Sequence, residues 1–289
     1  MKKVLTIIVS AILCVCACFC ITGCDCSGNK DTSQYVSPRS SQITVGITNA
    51  APMNYKNADG KWIGFDTDLA VMTFNALGYN VMFKEIEWSN KFYELEAGTI
   101  DCIWNGFTAN CTDKDTQGVE KERSEIANLS INYMINEQCV IKNKSVDFVD
   151  ETSFNNKIIA FEQGSSGAAG VGWLEEDYPN VHFQKKACTS QAEAITEVNS
   201  GTADFAVVDL SIAENSLNGN PNIELFDFDY FGLEYYAAAF KNDNDGAALR
   251  NKVDNILFVY YEIGYLQELC TKYNIEYSRV EQAFESNFN

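Results

Sequence analysis

The sequence predicts an α/β protein of two lobes, each a mixed sheet flanked by helices. Three observations point there. A chain of 289 residues is long for one compact core and comfortable for two. From Ile43 onward, short β-branched runs alternate with helical stretches, the pattern of βαβ units with mostly parallel strands. That alternation comes as two successive series, the second beginning near Glu137, and two such series suggest lobes facing a cleft. With 46% hydrophobic residues the chain can fill both cores.

The N-terminus comes first in the chain and reads as an address. Met1-Lys2-Lys3 is a positive start, VLTIIVSAILCVCACFC is an apolar core, and Ile21-Thr22-Gly23-Cys24 resembles the lipobox of bacterial lipoproteins. Residues 1–23 are therefore expected to be a lipoprotein signal peptide, with Cys24 lipidated as the first mature residue. The following DCSGNKDTSQYVSPRSSQ is too polar to bury much surface, so 24–42 reads as a flexible tether spanning about 25 Å as a coil.

The first series then runs as strand ITVGIT, a loop ending in KNADGKWIGFD, a helix from Thr67 to Leu77 closed by Gly78, and strand NVMFKEIE. A helix around Asn90 to Ala97, the turn Gly98-Thr99 and strand IDCIWNG complete it. The second series holds strands QCVIK and KIIAF, a glycine-rich turn, a helix, strand VHFQK, a helix from Gln191 to Asn199, and strand ADFAVVD. The C-terminal third holds YYAAAF and a long amphipathic helical stretch from Ala247 to Tyr273.

Composition excludes several functions. The formal charge is −19 and nothing forms a basic stripe, so nucleic acid is not an expected partner. Of eleven cysteines, six lie in the signal and tether. Cys102, Cys111, Cys139, Cys188 and Cys270 remain, an odd set without CxxC spacing and with a single histidine, His182, to join them. No metal or cofactor is expected, at most two disulfides are possible, and buried small hydrophobes is the favoured reading of most of these thiols.

The glycine-rich stretch FEQGSSGAAGVGWL, Phe161 to Leu174, invites a catalytic reading that its own residues defeat. A phosphate-binding loop needs Lys and Ser or Thr after the last glycine, and Val171-Gly172-Trp173 stands there. A nucleophile elbow needs glycines two before and two after its serine, which Gly164-Ser165-Ser166-Gly167 does not offer. His182, in alternating VHFQK, reads as a surface or satisfied strand residue rather than a triad member. What remains is a helix N-terminus with two hydroxyls, suited either to a small anion such as a carboxylate or to ordinary capping by Ser165 or Ser166.

Five segments in this order add a resemblance: GKWIGFDTDLA, WSNKFYELEAGTIDCIWNGFT, RSEIANLSINYM, AFEQGSS and SGTADFAVVD. They resemble the extracellular solute-binding proteins, family 3, of polar-amino-acid ABC importers, over Ile43 to about Ile275. The resemblance implies a type II periplasmic-binding-protein fold with a two-strand hinge. Lobe 1 is then expected over 43–136 plus 232–289 and lobe 2 over 137–231.

Carried over position by position, the resemblance implies a cradle for a free α-amino acid. Gly106 and Thr108 match backbone and hydroxyl contacts to the ligand, and Arg123 matches the arginine that pairs with its α-carboxylate, a task suited to a planar guanidinium. Ser165 and Ser166 match donors to that carboxylate from the other lobe, Asp209 the acid that takes the α-ammonium, and Trp88 an aromatic wall. Read alone, Arg123 would belong to the solvated charge run VEKERSE, Asp209 would be a helix cap, and Trp88 and Trp104 would be core aromatics.

Two departures stand out. ANCTDKDTQGVEKE places an insertion, Asn110 to Glu122, between Thr108 and Arg123, expected as a loop at the cleft mouth. Thr48 and Asn49 stand where the family often has an acid and Ala51 removes a ring, which leaves specificity open, with Asn49 among the ligand-binding candidates. The expected whole is a monomeric, lipid-anchored, non-enzymatic receptor on the outer face of the bacterial cytoplasmic membrane, handing its ligand to an ABC permease. The alternatives are a dehydratase-like enzyme on the same fold and an amino-acid-sensing receptor.

Overall fold

The computed structural model describes residues 41–226, 228 and 230–288. The expected signal peptide, the lipidation site Cys24 and nearly all of the tether lie outside these residues.

The first half begins with β1 (Ser41–Ile47), the small hairpin β2 (Tyr55–Lys56) and β3 (Trp62–Ile63), helix α1 (Phe65–Ala76) and β4 (Tyr79–Glu85). A 3-10 turn at Trp88–Asn90 leads into α2 (Lys91–Glu96) and then β5 (Cys102–Thr108), which is buried along its whole length. β4 and β5 flank β1 in parallel, as apolar strands joined by helical crossovers should. The insertion folds into an antiparallel hairpin, β6 (Thr112–Lys114) and β7 (Glu120–Glu122), followed by the one-turn helix α3 (Arg123–Ile126) and the short β8 (Asn128–Leu129).

Next comes β9 (Met134–Asn143), and the second half follows: β10 (Ile158–Glu162), α4 (Ser166–Asp177), β11 (Gln184–Cys188), α5 (Gln191–Ser200), β12 (Phe205–Asp209), α6 (Leu210–Leu217) and β13 (Ile223–Leu225). β14 (Leu233–Phe240) returns toward β5, and α7 (Asn244–Glu262), α8 (Tyr265–Tyr273) and α9 (Ser278–Ser286) finish the chain.

Strand order along the sheet is β11-β10-β12-β9-β14-β5-β1-β4. β9 joins the halves, because Met134 to Glu137 pair with β14 whereas Gln138 to Lys142 pair with β12. β14 makes the matching change of partner, pairing Leu233 to Tyr236 with β9 and Tyr236 to Phe240 with β5. These pairings are antiparallel, so the sheet is mixed, and parallel pairing is confined to the strands on either side.

Each half buries its own apolar residues. One core gathers Val45, Phe74, Trp104, Tyr133, Leu257 and Phe284, and a ring cluster in the other centres on Phe154, Phe205 and Phe226. All five cysteines among the described residues are buried, free thiols.

Three expectations shift. The strand expected over Val181 to Lys185 forms at Gln184 to Cys188, because the Asn155 side chain and Asn156 amide hold His182 in a loop and it stays exposed. The single helix expected from Ala247 to Tyr273 is two helices, broken at Ile263-Gly264 where Gly264 takes φ +79°. The insertion is a hairpin rather than an irregular loop, since Asp115 closes its turn by accepting from the amides of Gln117 and Val119.

Candidate functional site

Where β9 and β14 cross between the halves, β5, β12 and the start of α4 bring polar side chains into an otherwise apolar interior. β5 supplies Gly106 and Thr108. Gly106 has φ +56°, and a Cβ there would lie 3.2 Å from the Tyr236 ring, so only glycine fits without strain. Its amide donates to Asp66 Oδ2 at 2.6 Å, and Tyr133 Oη donates to the same oxygen at 3.0 Å. Asp66 is wholly buried and its pKa is pushed up to about 7 by that burial, which the two donors only partly offset. Asp66 of the GFDTD segment thus anchors the strand that presents Thr108.

Thr108 spans two charged regions. Its carbonyl accepts from Arg123 Nη1 at 2.9 Å, and its hydroxyl donates to Glu234 Oε2 at 3.1 Å and lies 3.2 Å from the Ser166 hydroxyl.

The acidic region holds Asp209 at the end of β12 and Glu234 near the start of β14. Alternation along β9 puts Asn136 and Gln138 on one face, from which both donate to both acids. Asn136 Nδ2 reaches Glu234 Oε2 at 2.9 Å and Asp209 Oδ1 at 3.2 Å, and Gln138 Nε2 reaches Glu234 Oε2 at 3.0 Å, Ser166 Oγ at 3.1 Å, and Asp209 Oδ1. Gln191 clamps Asp209 from α5, donating to Oδ2 and accepting from the Asp209 amide, each at 2.8 Å. Burial and then the nearby Glu234 raise the Asp209 pKa to about 6, against the amide donors. The oxygens Asn136 Oδ1 and Gln138 Oε1 are buried without a partner. Neither Asp209 nor Glu234 has an ion pair among the described residues.

The basic region holds Arg123 and Lys91, each with a side chain only 1% exposed. Both pair with Asp113 Oδ2 of the inserted hairpin, Lys91 Nζ at 2.7 Å and Arg123 Nη2 at 3.0 Å. Both also donate to the carbonyl of Gly164 in the other half, at 2.9 and 3.3 Å. The Phe107 ring lies 4.7 Å beneath the guanidinium. Burial and the neighbouring Arg123 lower the Lys91 pKa to about 8, while Lys91 and Arg123 outweigh burial at Asp113 and hold its carboxyl below the usual range. Between the two regions, Glu162 at the end of β10 is buried with Oε1 unpartnered. Desolvation and then Asp209 push its pKa up to about 8.

The remaining sequence candidates fall in different places. Ser166 faces the Thr108 hydroxyl, but Ser165 caps α4, accepting from the Ala168 amide and donating to the Glu162 carbonyl. Trp88 is buried in a core cluster, its ring edge-on to Phe107 at 6.1 Å. Asn49 is exposed, whereas Thr48 is buried against the Asn105 side chain. Asn136, Gln138, Glu162, Gln191, Glu234, Lys91 and Asp113 were not read from the sequence. For the first two a signal existed, two amides at strand spacing inside the apolar run MINEQCVIK. Among the described residues no group of three or more histidine, cysteine or acidic side chains is arranged to hold a metal ion.

The model of the bacterial extracellular solute-binding proteins, family 3, matches residues 43–276. The chain belongs to that family. This family-3 binding protein is 28% identical over 286 residues to a probable amino-acid-binding protein, YxeM, of Bacillus subtilis, covering 98% of each chain. It is 23% identical over 286 residues to a probable histidine-binding protein of Campylobacter jejuni, covering 96% of this chain and all of that one. Its fold matches, with a TM-score of 0.71 and 27% identity, the substrate-binding protein of an ABC uptake transporter from Streptococcus pneumoniae with bound histidine, over 80% of this chain and 92% of that one. The mixed α/β sheet crossed by β9 and β14 is thus the two-lobed fold of this family.

Proposed function

We propose that the protein is the lipid-anchored, ligand-capturing component of an ABC importer. On this reading a free amino acid is held between lobe 1 (43–136 with 232–289) and lobe 2 (137–231), which close on it, and a membrane permease receives it. The observation that carries the reading is the charge layout around Thr108. Asp209 and Glu234 are buried with no cation paired to them among the described residues, and two amide oxygens beside them lack donors. One residue away stand the buried cations Arg123 and Lys91. Buried charge is costly unless it is paired. A zwitterion would supply the cation missing at the acidic region through its ammonium, and would present its carboxylate to Arg123, which together with Lys91 now holds Asp113. The names of the relatives, an amino-acid-binding and a histidine-binding protein, support the same ligand class.

A thermal-shift screen against the common amino acids tests this, because a cleft ligand stabilises the folded form by mass action. A panel in which no amino acid raises Tm counts against the reading. The anchor is tested separately: Cys24→Ser should move the protein from the membrane fraction into the medium, and retention on the membrane would remove lipidation from the account. One observation bears on an enzyme as a second reading: Glu162 is buried with Oε1 unpartnered, and burial raises its pKa, the direction a general acid needs. Turnover of a bound ligand would decide for it.

A further inference from the structure

The inserted hairpin delivers a carboxylate to the place where a ligand's carboxylate would be read. A guanidinium recognises a carboxylate through a fork of two N–H groups. On Arg123 the Nε and Nη2 fork is taken by Asp113 Oδ2, at 3.3 and 3.0 Å, and Nη1 is taken by the Thr108 carbonyl. Lys91 meets the same Asp113 oxygen. The remaining shared acceptor is the Gly164 carbonyl. Two buried cations therefore converge on one internal anion.

That anion sits on a light, peripheral element. β7 is exposed throughout and Lys114 of β6 is exposed as well. Asp113 itself is 16% exposed, against 1% for each cation it serves. A groove of about 510 Å³, lined by Asp113, Ser89, Gly164 and Ser165, runs between the hairpin and the start of α4. The hairpin can thus exchange its carboxylate for another without unpacking either core.

We propose that Asp113 is a specificity-determining residue, an internal carboxylate that holds the Lys91–Arg123 anion point so that a ligand carboxylate binds only by displacing it. The consequence, which rests on the cleft being the ligand site, concerns substrate class. Free amino acids bind against an internal competitor, whereas organic amines without a carboxylate bind at Asp209 and Glu234 and leave Asp113 in place. The wild-type protein then accepts decarboxylated amino acids alongside their parents.

The test pairs each common amino acid with its decarboxylated amine, measured by thermal shift and then calorimetry on wild type and Asp113→Asn. Removing the internal carboxylate should tighten amino acids by about tenfold or more while leaving the amines nearly unchanged. If both proteins bind and the ratio of amino acid to amine stays constant, or amino acids weaken, Asp113 merely supports Arg123 and the proposal falls, with the ligand cleft intact. If neither protein is stabilised by any probe, the cleft reading falls with it. Asp113→Ala, whose Tm is read with and without acetate, keeps the test decisive should Asp113→Asn be too unstable for calorimetry. Acetate should stabilise Asp113→Ala and not wild type, and no difference between them overturns the proposal.

Discussion

The hydroxyls of Thr108 and Ser166 lie 3.2 Å apart, one on the last residue of β5 and the other on the first residue of α4. Two strand-helix systems with separate cores meet there through polar atoms, beside carboxylates on one side and cations on the other. On the proposed reading, a small dipolar ligand at this point would touch both systems at once and favour their approach by the contacts it made to each.

Thr108→Val keeps the shape of that residue and removes its hydroxyl. Glu234 loses a donor and Ser166 its Thr108 contact, each bond worth about 1 kcal/mol. Tm should fall by a few degrees, and ligand affinity about tenfold. Calorimetry showing unchanged affinity would remove Thr108 from the site.

Arg123→Ala should do two things. It takes one of two cations from the part-exposed Asp113, which keeps Lys91, and empties a buried site, so Tm should drop by a few degrees. It should also weaken free amino acids by about tenfold or more, and their decarboxylated amines far less. Equal weakening of both classes would place Arg123 in the scaffold rather than against the ligand carboxylate.

Asp209→Asn removes the charge that Asn136, Gln138 and Gln191 converge on. Ligands with a free α-ammonium should lose about 10- to 100-fold in affinity, and deaminated analogues little. A deaminated analogue that suffers as much as its parent would show that the ammonium goes elsewhere.

Glu162 makes stability depend on pH with a definite sign. Its pKa is raised from 4.5 to about 8 on folding, so between those values the folded protein holds a proton that the unfolded chain has released. Its contribution is complete below pH 4.5 and is lost as pH rises through 8. Asp66, at about 7, and Asp209, at about 6, act in the same direction. Glu162→Gln should therefore flatten the fall of Tm between pH 5 and 8 without abolishing it, as read by calorimetric scans across that range. A slope equal to that of wild type would mean that Glu162 ionises normally.

Much of this architecture is legible in the linear chain. Apolar runs of strand length recur between helical stretches, Gly78 and Gly201 follow helix ends, and the motif order around GFDTD, NGFT and AVVD is local in sequence. Such signals depend on neighbours a few residues away, so they survive without tertiary information. Five cysteines without metal spacing likewise pointed to buried thiols, and all five are buried.

The site is legible only in part, because its groups are close in space and distant in the chain. Nothing local distinguishes Ser165, which turns inward to cap α4, from Ser166, one residue on, which faces Thr108. The rotation of a single helical step decides it. Glu234 reads as one acid before YYAAAF until β14 lies beside β9 and its side chain meets Asn136 and Gln138. Above all, the insertion before Arg123 shows no partner in the sequence. Only when the hairpin folds back, in a medium where two buried cations require an anion, does Asp113 become the group that satisfies both.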